Sequence, residues 1–256
     1  MELKGKVVWI TGASSGIGEA LVFALATYEC KFILSGRNAE KLERIAKSVD
    51  AESLVLPFDM EDTPTFPEVV EKVDQHFGRL DLLILSSGIS QRASFEEMTE
   101  QAFRKIMEIN LFGHVFLTKA VLPFLLNQLD PMIVEISSVQ GKIGLPERAA
   151  YSTSKHAVQG FFDSLRAEYA YKGLKVQVIT PGYVATNLSA NALNADGKAI
   201  GKLEQKGISP QECAQKIVRA IEAEKEEVYV GAFKEQFGLW LKRFFPSILR
   251  KLIAKK

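Results

Sequence analysis

The stretch VVWITGASSGIGEAL, residues 7–21, constrains the fold more than any other part of the chain. It passes from an apolar strand pattern into a helical one, with Gly12, Gly16 and Gly18 at the turn between them. Bulky side chains there would hold the backbone away from a pyrophosphate. Glycines let it approach, and the free N–H groups and positive dipole of the helix start then face the negative charge. No Gly-Lys-Ser/Thr follows, which excludes the lysine-bearing phosphate loop of NTPases. The turn predicts a dinucleotide-binding α/β unit.

The remaining pattern extends that unit along the chain. Strand-like apolar runs at 6–10, 31–36, 52–59, 81–87, 131–138, 174–182 and 226–231 are separated by helical patterns at 16–28, 38–49, 66–77, 99–112, 113–128, 150–171 and 210–223. Continuously apolar strands alternating with helices imply a parallel sheet covered on both faces. Right-handed crossovers then give a Rossmann-type, doubly wound α/β fold of about seven strands. With no internal repeat or linker, residues 1–256 are expected to form one domain.

Composition narrows the partners. A net charge of +1 gives nucleic acid no general attraction. The two cysteines, Cys30 and Cys213, suggest neither a disulfide framework nor a metal cluster, and His76, His114 and His156 are scattered without ligand spacing. No metal is expected. The first residues enter a strand at once, leaving no room for a targeting peptide, and no run approaches the ~18 apolar residues of a membrane span. A cytoplasmic location is expected.

The second strand ends in Gly36, Arg37 and Asn38, with no carboxylate to hold a ribose 2′-hydroxyl. The donor fork of Arg37 suits a 2′-phosphate instead, and a cation at a helix start opposes the dipole, so a purely structural arginine is disfavoured there. NADP(H) is favoured over NAD(H). Asp59, followed by Met60 after the third strand, could bind the adenine amino group or cap the next loop.

Two tyrosines have a lysine four residues on: Tyr151 with Lys155, and Tyr171 with Lys175. A tyrosine near its ordinary pKa of ~10 is a poor acid or base at neutral pH unless a cation stabilises its phenolate. One helical turn puts the cation on the same face. Tyr151 and Lys155 lie within one helical pattern, after a strand whose carboxyl end carries Ser138. Tyr171 and Lys175 straddle Gly173, which is expected to end that helix. Tyr151 is the candidate, and Tyr171 a surface residue.

Together TGASSGIG, Asn110 in EINLFG, Ser138, YSTSK and PGYVAT resemble the short-chain dehydrogenase/reductases over residues 4–230, with sequence detail closest to the member 7 and 7B group. The resemblance implies Tyr151 as general acid/base, Ser138 on the substrate carbonyl, Lys155 on the nicotinamide ribose lowering the tyrosine's pKa, and Asn110 holding a relay water. It implies that Gly12, Ser14, Ser15, Gly16, Ile17, Gly18, Arg37, Asn38, Asp59, Met60, Gly88, Pro181, Gly182, Val184 and Thr186 bind the cofactor, together with Tyr151 and Lys155. It also implies a homodimer or homotetramer. The chain departs from the family at Leu85, Ser86, Ser87 and Gly88, where Asn-Asn-Ala-Gly is usual; Leu85 cannot supply the usual asparagine's hydrogen bonds, so the sheet must satisfy those groups otherwise.

The resulting expectation is an NADP(H)-dependent oxidoreductase interconverting a ketone or aldehyde and an alcohol. The competing readings are a catalytically silent NADP(H) sensor or scaffold, and an epimerase, for which the chain has no room for the usual substrate domain. Substrate walls are expected from Ser138, Gln140, Ile143, Leu145 and Tyr183, with Ile89 and a polar lid at 187–208; mostly apolar, they favour a lipophilic compound. Residues 233–256 form an amphipathic tail in which apolar pairs recur every four residues among lysines and arginines, with Pro246 kinking it or starting its last helix. Peripheral membrane contact and packing against the protein or another subunit both suit it.

Overall fold

The computed structural model describes residues 1–201 and 207–254, so parts of the expected lid (202–206) and tail (255–256) lie outside the described residues. Seven strands are described: β1 (Val7–Thr11), β2 (Lys31–Gly36), β3 (Ser53–Pro57), β4 (Leu82–Leu85), β5 (Met132–Ile136), β6 (Lys175–Pro181) and β7 (Glu227–Val230). They pair in parallel in the order β3-β2-β1-β4-β5-β6-β7. The order reverses between β1 and β4, which opens a crevice beyond their carboxyl ends.

Successive strand side chains point to opposite faces, and both faces are apolar. Val8, Ile10, Phe32, Leu34, Leu82 and Ile84 join one core with α1 (Gly16–Ala26), α2 (Ala39–Ser48) and α7 (Pro210–Glu222). Val7, Trp9, Ile33, Leu83 and Leu85 join the other with α3 (Phe66–Phe77), α5 (Gly113–Leu125) and α6 (Ala149–Tyr169). This is the doubly wound, Rossmann-like sheet expected from continuously apolar strands.

The helix ends follow local chemistry. Asn38 caps α2 by accepting from Lys41 N at 2.9 Å, and Ser209 caps α7 by accepting from Glu212 N at 3.0 Å, with Pro210 in the first turn. The patterns at 99–112 and 113–128 form one rod. In it α4 (Glu100–Met107) passes through a π-turn at Glu108–Phe112 into α5, and the N–H of Gly113 reaches back to Glu108 O. Helix α6 stops at Tyr169, and a 3₁₀ turn then leads to left-handed Gly173, φ 77°. The tail forms α8 (Phe233–Phe244) and α9 (Pro246–Ala254), with Pro246 starting the second helix.

Candidate active site

The glycine turn forms the floor of the crevice. Gly12 and Gly16 have φ of 66° and 62°, where side chains are strained, and a Cβ on Gly12 would sit 2.9 Å from Ser86 O. Gly18 has a different part to play. It does not line the crevice; a Cβ there would lie 2.4 Å from Gly12 O, so its role is to let α1 close onto the end of β1. Ser15 precedes α1 without a side-chain cap, so its hydroxyl does not compete for the first N–H groups of the helix. The residues present therefore fit a pyrophosphate: a cradle that any Cβ would fill, beside a helix start.

Along the walls lie Ser14, Arg37, Asp59, Met60, Gly88, Pro181, Gly182, Val184 and Thr186. Arg37 is exposed at the end of β2 with no acidic residue beside it in sequence. Asp59 does cap the next turn, accepting from Glu61 N at 3.1 Å through Oδ1, and it also lines the crevice. Asn38 is not a crevice residue. Its carboxamide oxygen caps α2, so the expected cofactor contact is replaced by a helix cap.

The catalytic candidates converge at the deeper end. Ser138 lies just beyond the carboxyl end of β5, and its Oγ accepts from Gln140 N at 3.1 Å, leaving the hydroxyl hydrogen to donate. Tyr151 and Lys155 share a face of α6, both line the crevice, and both are buried. Lys155 Nζ donates to Ile136 O at 2.8 Å, and a Cβ on Gly88 would approach it to 4.0 Å. Asn110 sits in the π-turn, behind the wall rather than in it. Its Nδ2 donates to Ile89 O (2.9 Å) and Ser154 Oγ (3.1 Å), and its Oδ1 accepts from Ile89 N (2.9 Å). One Oδ1 lone pair remains for a water.

The second pair is not a site. Tyr171 is 80% exposed, while Lys175 has entered β6 and pairs with Asp130 and Glu224. Two expected substrate walls also fail. Ile143 and Leu145 do not line the crevice: beyond the 3₁₀ turn Val139–Gly141 the chain leaves it, and Ile143 packs against α8 with its Cδ1 3.6 Å from where a Gly238 Cβ would be. Gln140, Tyr183 and Ile89 do line it, joined by Leu188. The described part of the lid segment is tied down through Leu193, whose N–H donates to Ser90 O and whose carbonyl accepts from Arg92 N.

Sequence reasoning missed three charged or titratable groups here. Arg148 is buried in the wall, with Nη1 donating to Ser90 Oγ (2.9 Å) and Gln91 O. Burial lowers its pKa from the ordinary arginine value, with Arg92 adding to the effect. Glu135 and His114 are buried directly behind Lys155. Just after Leu85 the backbone is satisfied by neighbours: Thr11 Oγ1 accepts from Ser86 N and Ser87 N at 3.1 and 3.2 Å, and His114 Nε2 lies 3.0 Å from Ser87 O. The cysteines take no part, since burial pushes the thiols of Cys30 and Cys213 up to about 11 and about 12. No cluster of metal-ligating side chains occurs among the described residues.

Known proteins resemble this chain in sequence and in fold. The family model described as short chain dehydrogenase matches residues 6–197. A Drosophila melanogaster protein, dehydrogenase/reductase SDR family protein 7-like, is 40% identical over 100% of this chain and 81% of its own. Dehydrogenase/reductase SDR family member 7B of Mus musculus is 39% identical over 99% and 82%. A solved short-chain dehydrogenase from Streptomyces avermitilis superposes with a TM-score of 0.82 at 27% identity, over 97% of this chain and 96% of that one. Two more share the fold at lower identity. One from Burkholderia phymatum, in complex with NAD, has TM-score 0.86, 20% identity and coverage of 97% and 96%. One from Burkholderia cenocepacia, in complex with NADP, has TM-score 0.84, 24% identity and coverage of 100% of both chains. The glycine cradle, the reversed strand order and the matches over the full length lead to one conclusion: the chain belongs to the short-chain dehydrogenase family and is an oxidoreductase of that family.

Proposed function

We propose that the chain is an NADP(H)-dependent oxidoreductase that interconverts a lipophilic ketone or aldehyde and its alcohol. The observation carrying this reading is the meeting of Ser138, Tyr151 and Lys155 in one crevice with the glycine turn. A nicotinamide bound there supplies hydride to a carbonyl carbon, or removes it from a carbinol. The chain's own residues manage the oxygen. Ser138 Oγ donates to it and fixes its position, and Tyr151 protonates it during reduction or accepts its proton during oxidation. The Lys155 ammonium opposes the negative charge left on the phenol oxygen, and one Nζ hydrogen beyond those on Ile136 O and Glu135 is free for a ribose hydroxyl. Asn110 fixes the Ile89 backbone and keeps an acceptor for a water that refills the proton.

Arg37 supports NADP(H) over NAD(H). Ile89, Val139, Tyr183 and Leu188 support a lipophilic substrate, with the 187–208 segment as its lid. Cytoplasmic residence and a homodimer or homotetramer complete the reading, with α8 and α9 resting on an anionic membrane. Exposed Phe233, Phe237, Trp240, Phe244, Ile248 and Leu252 support that contact.

Tyrosine substitution tests the reaction. Tyr151→Phe is expected to lower turnover by at least about 10²-fold, the lower end for a lost acid/base, with NADPH binding unchanged by titration. Tyr171→Phe is expected to behave as wild type. Equal behaviour of the two variants would sink the assignment.

A further inference from the structure

A parallel strand buried on both faces ordinarily carries apolar side chains. β5 breaks that rule at Glu135, which is fully buried between Val134 and Ile136, with Leu85 of β4 and Val178 of β6 in register on either side. An isolated carboxylate there would be strongly disfavoured. This one has two partners: Oε1 lies 3.4 Å from Lys155 Nζ, and Oε2 lies 2.7 Å from Nδ1 of His114, itself fully buried on α5. The other ring nitrogen, Nε2, is 3.0 Å from Ser87 O. A carbonyl oxygen only accepts, so Nε2 carries a hydrogen. A bare Nδ1 lone pair would then repel the carboxylate at 2.7 Å, so a proton must lie between Nδ1 and Oε2.

We propose that Glu135 and His114 form a buried one-proton site that holds the Lys155 ammonium in place and sets the pH range of turnover. The inference rests on the roles given above to Tyr151 and Lys155. Neither residue lines the crevice, so both are positioning residues acting through Lys155. Facing Lys155 are Glu135 from β5 and Tyr151 from its own helix; facing Glu135 are Lys155 from α6 and His114 from α5. Arg148, just before α6, also bears electrostatically on Tyr151. Without Glu135 the buried ammonium loses its hydrogen bond to Oε1, keeps Ile136 O alone and is held less firmly toward the Tyr151 phenol. It then supports the phenolate of Tyr151 less well, and the phenolate is the form that accepts a proton in alcohol oxidation.

The pH–rate profile for alcohol oxidation with NADP⁺ provides the test. Glu135→Gln removes the carboxylate but retains its shape. Its profile is expected to move basic by on the order of one pH unit, about a tenfold loss on the rising limb. Glu135→Leu/His114→Leu removes both polar groups together, leaving Lys155 Nζ on Ile136 O and Ser87 O without the ring N–H. It is expected to melt below wild type and, where folded, to keep the basic shift, whereas a purely structural role would return the wild-type profile. Wild-type protein gives a reading independent of any variant's folding. In ¹H–¹⁵N NMR of the histidines, His114 is expected to show protons on both ring nitrogens, one of them shared with Glu135. An unprotonated Nδ1, or a Glu135→Gln profile that superimposes on wild type, would overturn the inference. If Tyr151→Phe still turns over, the underlying reading fails instead; if only that variant is dead, this inference alone fails.

Discussion

Arg37 stands at the carboxyl end of β2 where a dinucleotide fold must distinguish a hydroxyl from a phosphate, and its guanidinium lines the crevice. Arg37→Ala is expected to weaken NADPH by about 1.5–3 kcal/mol, the range for a hydrogen bond to a charged group, and to leave NADH nearly unchanged. Titration of both cofactors decides it, because equal losses would remove Arg37 from the 2′-phosphate. At this scale the sequence was legible where placement follows local spacing: Tyr151 and Lys155 are one helical turn apart, and Gly12 and Gly16 adjoin a strand end. It was not legible where partners meet across the fold. His114 and Glu135 are 21 residues apart on a helix and a strand, so neither carries a mark of the other. Ile143 and Leu145 were misplaced for a related reason: nearness to Ser138 in sequence says nothing of the direction the chain takes after Gly141.

Among the elements, α1 matters most because its start must lie against both the sheet and a ligand. The closeness of Gly18 to Gly12 O turns a methyl group into a separation of helix from strand. Gly18→Ala is expected to cost about 1–3 kcal/mol of stability by overpacking and to weaken NADPH and NADH alike. That equal loss is the opposite of the Arg37 pattern, and thermal melts with both cofactor titrations separate them. Element type followed from apolar periodicity, and Gly173 ended α6 near its expected limit. The π-turn at Glu108–Phe112 was not legible: the amphipathic pattern of a continuous helix conceals one extra residue. Yet that turn carries Asn110 and brings its carboxamide onto Ile89.

Taken whole, the molecule has two cores on one sheet and a tail that is half committed to them. The inner side of α8 is held by buried Leu241 and by Gly238 against Ile143, while Phe233, Phe237 and Trp240 stack in sequence on the outside. Lys242, Arg243, Arg250 and Lys251 accompany them, with no acidic residue after Glu235. Intact protein is expected to float with anionic liposomes and not with neutral ones. Phe237→Glu/Trp240→Glu is expected to abolish flotation without lowering the melting temperature. If the intact protein ignores anionic vesicles, or the variant loses its oligomeric state, the stripe is a subunit surface. A different consequence follows from the core on the α1 face. Leu21, Val22 and Leu25 of α1 lie in one cluster with Cys213, Ile217 and Ile221 of α7, and the two helices pack directly together. The glycine turn is therefore buttressed by a helix made much later in synthesis. A nascent chain that has not yet emitted Pro210–Glu222 carries every cradle glycine but leaves the apolar side of α1 bare. During synthesis that surface is expected to stay exposed, and tight nucleotide capture to wait, until α7 has emerged.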